Sequence, residues 1–132
     1  MEEKLLAILL GNPAVALHFG LNVYWVAVPQ KEKTKPNCVL QVVGNQQNYS
    51  FSGQSNLTRT RVQIDVRAKT YLASKAAARA VSKALSGYRS GAIKGIFLDT
   101  ARDLPDTDAG DVNQLFRVSI DIFIYHQESS NG

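Results

Sequence analysis

The clearest pattern in the chain is the alternation of "RVQIDVRAK", from Arg61 to Lys69. Val62, Ile64, Val66 and Ala68 fall on one side, and Arg61, Gln63, Asp65, Arg67 and Lys69 on the other. A period of two with one apolar and one polar side predicts an antiparallel strand buried on one face. "QLFRVSIDIFIYH" repeats the pattern. Phe116, Val118, Ile120, Ile122 and Ile124 are expected inside, and Arg117, Ser119, Asp121, Phe123 and Tyr125 outside. Leu21–Val28 and Asn37–Gly44, rich in β-branched and aromatic residues, predict two further strands. Gly95 to Arg102 predicts another.

Elsewhere the apolar spacing changes to that of a helix. Leu5, Leu6, Leu9 and Leu10 recur at helical intervals, with Glu2 and Glu3 in the first turn and Gly11 as a stop. Asn12-Pro13 reads as an N-cap followed by proline at the first helical position, opening a short helix to Phe19. Thr70 is a plausible N-cap for a helix from Tyr71 to about Ser86. Its expected inner stripe is Leu72, Ala76, Ala77, Ala80, Val81, Ala84 and Leu85, mostly small residues that allow close approach to a sheet. Lys75, Arg79 and Lys83 then take the outer side.

The elements predict one α+β domain spanning residues 1–132. An antiparallel sheet of about four to five strands carries the main helix on one face, and the N-terminal helices cover the sheet or one end of it. Two polar connections interrupt this plan. "GNQQNYSFSGQSNLTRT" is long for a loop and is expected to form a projecting hairpin or arm, with Tyr49 and Phe51 on one face. "PDTDAGD" is a turn-rich acidic loop.

Charge sharpens the picture. The net charge of +4 is unevenly spread. Residues 59–94 hold nine bases and one acid, whereas residues 95–132 hold seven acids and two bases. Such a split fits a contact between different surfaces of two subunits, as a ring requires, because complementary potentials steer association. It equally fits pairing inside one subunit. A phosphate-tracking helix is the third possibility, but the outer side of the main helix offers no aromatic or amide for base readout.

Candidate chemistry adds little. His18, His126 and Cys38 have no metal-ligand spacing, and Cys38 lies in an apolar strand as a small core residue. The acidic loop fails as a calcium loop, because Gly110 and Arg117 stand where ligands are needed. Neither a nucleophile elbow nor a phosphate loop is present. No catalytic residue, metal or cofactor is expected, and the apolar run Leu5–Leu10 is too short for a membrane span.

Three stretches together resemble a known family. "LLAILLGNPAVALHFGLNVYWVAVPQ", "LTRTRVQIDVRAKTYLASKAAARAVSKALSGY" and "DTARDLPDTDAGDVNQLFRVSIDIFIYH" are similar, in order and spacing, to the tail completion proteins, or tail terminators, of long-tailed phages and prophages. The charged "KEKTKP" and the long "NQQNYSFSGQSN" depart from the family pattern. The resemblance implies a structural protein of the virion, assembled in the host cytoplasm. It implies a homo-oligomeric ring of about six subunits at the head-proximal end of the tail. The ring stops tube growth and joins the head, with DNA passing through without sequence-specific binding. The implied partners are further copies of the chain, the major tail tube protein and a head-tail connector or stopper. Contacts are expected at Tyr49 and Phe51 in the arm, at Arg59 and Arg61 at its base, and at Asp106, Asp108 and Asp111 in the acidic loop. Two other roles stay open: another neck component such as a connector or stopper, or a small DNA-binding module.

Overall fold

The computed structural model describes residues 1–29, 35–47, 57–104 and 115–127. The chain runs α1 (Glu2–Leu10), α2 (Pro13–Phe19), β1 (Val23–Trp25), β2 (Asn37–Gln47), β3 (Leu57–Ala68), α3 (Tyr71–Leu85), β4 (Ile93–Leu104) and β5 (Phe116–Gln127). One sheet of five strands, in the order β1-β2-β3-β5-β4, forms the frame. β2, β3, β5 and β4 are mutually antiparallel, as the alternating sequences require. β1 joins the edge of β2 in parallel, so the sheet is mixed rather than wholly antiparallel. β5, last in sequence, lies between β3 and β4, and α3 makes the connection between those two strands.

The core lies on one face of this sheet. Val62, Ile64 and Val66 of β3 stand beside Leu40 and Cys38 of β2 and beside Ile122, Ile120 and Val118 of β5. Leu5 and Leu9 of α1, Val15 and Phe19 of α2, and Ala77, Val81 and Leu85 of α3 complete the same cluster. All three helices therefore cover one face. The N-caps act as the sequence suggests: Asn12 accepts hydrogen bonds from the N–H groups of Ala14 and Val15, and Thr70 from that of Ala73.

Several expectations need correction. Leu72, assigned to the inner stripe of α3, is 78% exposed. The buried positions are Ser74, Ala77, Ala78, Val81 and Leu85. At about 100° per residue, Leu72 lies about 180° around the helix from Val81, so the true stripe has no place for it. Ser74 takes the inward position and satisfies its hydroxyl on the Tyr71 carbonyl at 2.7 Å. The strand expected from Leu21 to Val28 shrinks to Val23–Trp25, because Val26 adopts a left-handed φ of 73° and turns the chain out of the ladder. Its N–H still reaches the Leu40 carbonyl at 2.8 Å.

Phe116, expected inside, is 45% exposed at the first position of β5, where its ring meets Tyr71 edge-on at 6.4 Å. Ser119 and Asp121 lie on the outer face as expected, yet are only 1% and 3% exposed. They are short side chains in an interior strand, and longer ones from the flanking strands, Arg61 of β3 and Arg102 of β4, reach over them. Part of the polar stretch after Gly44 proves to be ladder: β2 continues to Gln47, which pairs with Thr58 of β3.

Candidate assembly surface

The outer face of the sheet carries no helix among the described residues. β3, β5 and β4 present it in cross-strand rows. Arg61 faces Phe123, which faces Phe97; Arg59 faces Tyr125, which faces Gly95; and Gln63 faces Asp121, which faces Thr100. These rows follow from the period of two that buries the opposite side.

An aromatic group occupies the end of this face near the start of β4. Phe97, 56% exposed, meets Tyr125 edge-on at 5.6 Å. Phe97 can lean there because Gly95 has no side chain; a Cβ at Gly95 would come within 2.9 Å of the Phe97 ring. The guanidinium of Arg59 lies 4.9 Å from the Phe123 ring centroid, and that of Arg61 5.7 Å. Lys94, Phe97, Phe123 and Tyr125 line an open groove of about 440 Å³. Lys94 and Asp99 are the residues at which the β4–β5 register shifts, and such bulges re-aim side chains.

Next to the groove is a charged cluster. Arg61 donates to Asp121 Oδ2 at 2.8 Å and lies 3.7 Å from Asp99. The hydrogen bond to Asp121 raises the Arg61 pKa further. Arg102 reaches the same Asp121 oxygen at 4.0 Å. Asp121 Oδ1 is buried and has no hydrogen-bond partner among the described residues. Toward the far end of the face, Arg67 and Arg117 stand opposite each other and converge on Asp65 at 3.9 and 3.7 Å.

The charge split of the sequence is therefore partly neutralised within the subunit. Asp99 and Asp121 pair with Arg61, while Asp103 pairs with Lys75 and accepts from Tyr71 Oη at 3.0 Å. Nor do the nine bases form a single patch. Arg59, Arg61 and Arg67 belong to the outer sheet face, whereas Lys75, Arg79 and Lys83 ride on the helix that covers the other face.

Of the expected contact residues, the structure thus brings Arg59 and Arg61 to one aromatic-lined surface. Tyr49, Phe51, Asp106, Asp108 and Asp111 lie outside the described residues. The sequence reading missed Phe97 and Lys94 as part of this surface. Phe123 and Tyr125, aromatics on the outward side of the alternation that Arg117, Ser119 and Asp121 otherwise fill, were the available signal.

No catalytic grouping accompanies this surface among the described residues. Burial pushes the Cys38 thiol far above its ordinary range, so it carries no nucleophile. His126 is buried, with Nε2 2.7 Å from Thr60 Oγ1, and no cluster of three or more potential metal ligands occurs among the described residues.

The family comparison is decisive at this point. The sequence pattern of the family described as "Tail completion protein gp17" matches residues 3–127. The chain belongs to this family. A tail completion protein is a structural part of a phage tail, and this one shares its fold with a virion component. A chain of the solved structure described as "Virion of native gene transfer agent (GTA) particle" superposes with a TM-score of 0.71. The two are 18% identical, and the match covers 94% of this tail completion protein and 92% of the other chain. A search of curated proteins found no match.

Proposed function

We propose that the protein completes the phage tail: it forms a homo-oligomeric ring on the head-proximal end of the tube, stops its growth and joins it to the head. The family match across residues 3–127 carries this reading. The geometry supports it. A layer of three helices seals one face of the sheet, while the other face keeps exposed aromatic and charged side chains, as a subunit with neighbours requires. The chemistry is contact chemistry, without catalytic residue or cofactor. The partners are further copies of the chain, the major tail tube protein and the connector or stopper. DNA passes through the ring without being read.

Two measurements test this. The native mass of the purified protein, alone and with tail tubes, reports ring formation. Expression in a phage lacking its own terminator reports function. Tails of normal length support termination, and overlong tails in a host making ample protein refute it. Rescue of a connector or stopper defect in its place assigns the protein to another part of the neck.

A further inference from the structure

β4 forms one edge of the sheet, and only its first half is closed. Ile93 exchanges backbone hydrogen bonds with Ser90 at 3.0 Å, and the Ile96 carbonyl accepts from the Gly87 N–H at 2.9 Å, so the chain before β4 folds back along that half. Backbone groups of a strand point alternately to its two sides. Ile96, Leu98, Ala101 and Asp103 stand opposite Ile124, Ile122, Ile120 and Val118, alternate residues of β5, and the bulge at Asp99 absorbs the extra residue. Leu98, Ala101 and Asp103 therefore turn their N–H and C=O groups away from the sheet, as Ile96 does. Among the described residues no backbone group bonds them. We infer that this half-edge receives an extended strand of the tail tube protein, which joins the sheet beside β4. It rests on the proposed completion of the tail and adds the strand contact behind it.

The half-edge is suited to pairing. Residues 97–104 contain no proline. The charges that commonly blunt an edge are drawn into the subunit's own ion pairs: Asp103 onto Lys75, Asp99 toward Arg61, and Arg102 toward Asp121. Apolar side chains flank the open groups. Leu98 and Ala101 are exposed on the helix side, because α3 lies mainly over β3 and β5, and Phe97 is exposed on the outer face. An added strand gains main-chain hydrogen bonds and covers these side chains, as in other cases of strand addition.

The chain itself does not supply this strand. Residues 105–114, which continue from β4, hold a proline, three aspartates, a glycine and an asparagine, types depleted in strands. In a ring, a second copy does not supply it either. Two β4 edges meet about a two-fold axis, and neighbours in a cyclic ring are not related by one. The opposite edge of the sheet, β1, has too little to pair. Its Asn22 and Val26 bond to β2, so Val23 and Trp25 face outward; the Val23 N–H donates to the Leu21 carbonyl, and the Trp25 carbonyl accepts from Ala27. One carbonyl and one N–H are left. The strand comes from a different protein, and for a protein that completes a tail that is the protein of the tube end.

Hydrogen–deuterium exchange of the full-length chain tests this, free and bound to purified tail tubes from a phage lacking its own terminator, with peptides spanning 97–104 read by mass spectrometry. The outward amides should exchange fast in the free chain at every concentration and at least about tenfold more slowly on tubes. Ala101→Pro removes one outward N–H and leaves the β4–β5 ladder intact, the edge setting in which a strand accepts proline. It should weaken tube binding about tenfold with a melting temperature close to that of the wild type, whereas Ala101→Ser, which keeps the N–H, should bind normally. If the proline variant does not fold, the exchange comparison on the wild type decides alone. Unchanged exchange on tubes overturns the contact. Slow exchange in the free chain also overturns it, because the chain then covers its own edge, and so does slowing that accompanies association of free subunits, which assigns the edge to a second copy. Tails of normal length without slowing on tubes keep the proposed function and discard this strand. A wild type that neither binds tubes nor stops their growth removes both.

Discussion

Replacing Thr60 by valine probes a buried polar relay that holds three strands together. Thr60 is completely buried on the core side of β3. Its hydroxyl donates to Asn45 Oδ1 of β2 at 2.6 Å, and His126 Nε2 of β5 lies 2.7 Å from the same oxygen. A hydroxyl has one proton, and it is spent on Asn45. Nε2 must therefore carry the ring proton and donate to Thr60. Valine keeps the shape and removes both bonds. Asn45 is exposed, so water replaces its lost donor at little cost. The imidazole N–H is buried and loses its Thr60 acceptor, a loss of ~1–3 kcal/mol. The new methyl offsets up to ~0.8 kcal/mol by burial. The net expectation is ~1–2 kcal/mol of destabilisation, a melting point lower by ~3–8 °C for a domain of this size. Urea unfolding followed by Trp25 fluorescence measures it, with Thr60→Ser, which keeps the hydroxyl, as the control. A valine variant as stable as the wild type, or a serine variant hurt more than valine, refutes the relay.

Four further outcomes are expected. Cys38 should react with thiol reagents only through unfolding, so its labelling rate in Thr60→Val should rise about tenfold per ~1.4 kcal/mol lost; fast labelling of the native wild type contradicts the burial. Gly87 has a φ of 78° with open space around it, and its N–H bonds the Ile96 carbonyl at 2.9 Å. Gly87→Ala should therefore cost ~1–2 kcal/mol from conformation alone, and Gly87→Asn less, as chemical denaturation will report. The hydrogen bond from Lys75, then that from Tyr71, holds the Asp103 carboxyl below its usual range. Its stabilising effect is present above the unfolded pKa and fades as pH falls through the folded one, so Asp103→Asn should flatten the acid limb of a melting curve taken below about pH 4. Leu40→Ala, at a fully buried site in β2, should cost ~2–5 kcal/mol by urea titration, and a smaller loss means that the core relaxes into the cavity.

Much of the frame was legible because it depends on local period and capping. The alternation of β3 and β5 fixes which side of each strand is apolar, and the caps at Asn12 and Thr70 start helices where short-range hydrogen bonding demands it. The order and spacing of these segments also pointed to the tail completion family. The individual contact residues were less legible. Arg59 and Arg61 were named from their charge, whereas Lys94 counted only as one of the nine bases and Phe97 drew no attention in a short run of mixed polarity.

The sequence by itself determined the α+β class, the inward faces of the two alternating strands, and the uneven charge. Tertiary structure decided what a one-dimensional period cannot. It placed β5 between β3 and β4, which puts Asp121 beside Arg61 although sixty residues separate them. It turned α3 so that Ser74, rather than Leu72, faces the core. It also divided the basic stretch between two opposite faces, with Arg59, Arg61 and Arg67 on the outer sheet face and Lys75, Arg79 and Lys83 on the helix that covers the other. The reason is common to all of these. Local patterns record which side of an element avoids water, but pairing order and helix rotation arise from long-range packing, and they set which charges and aromatics become neighbours.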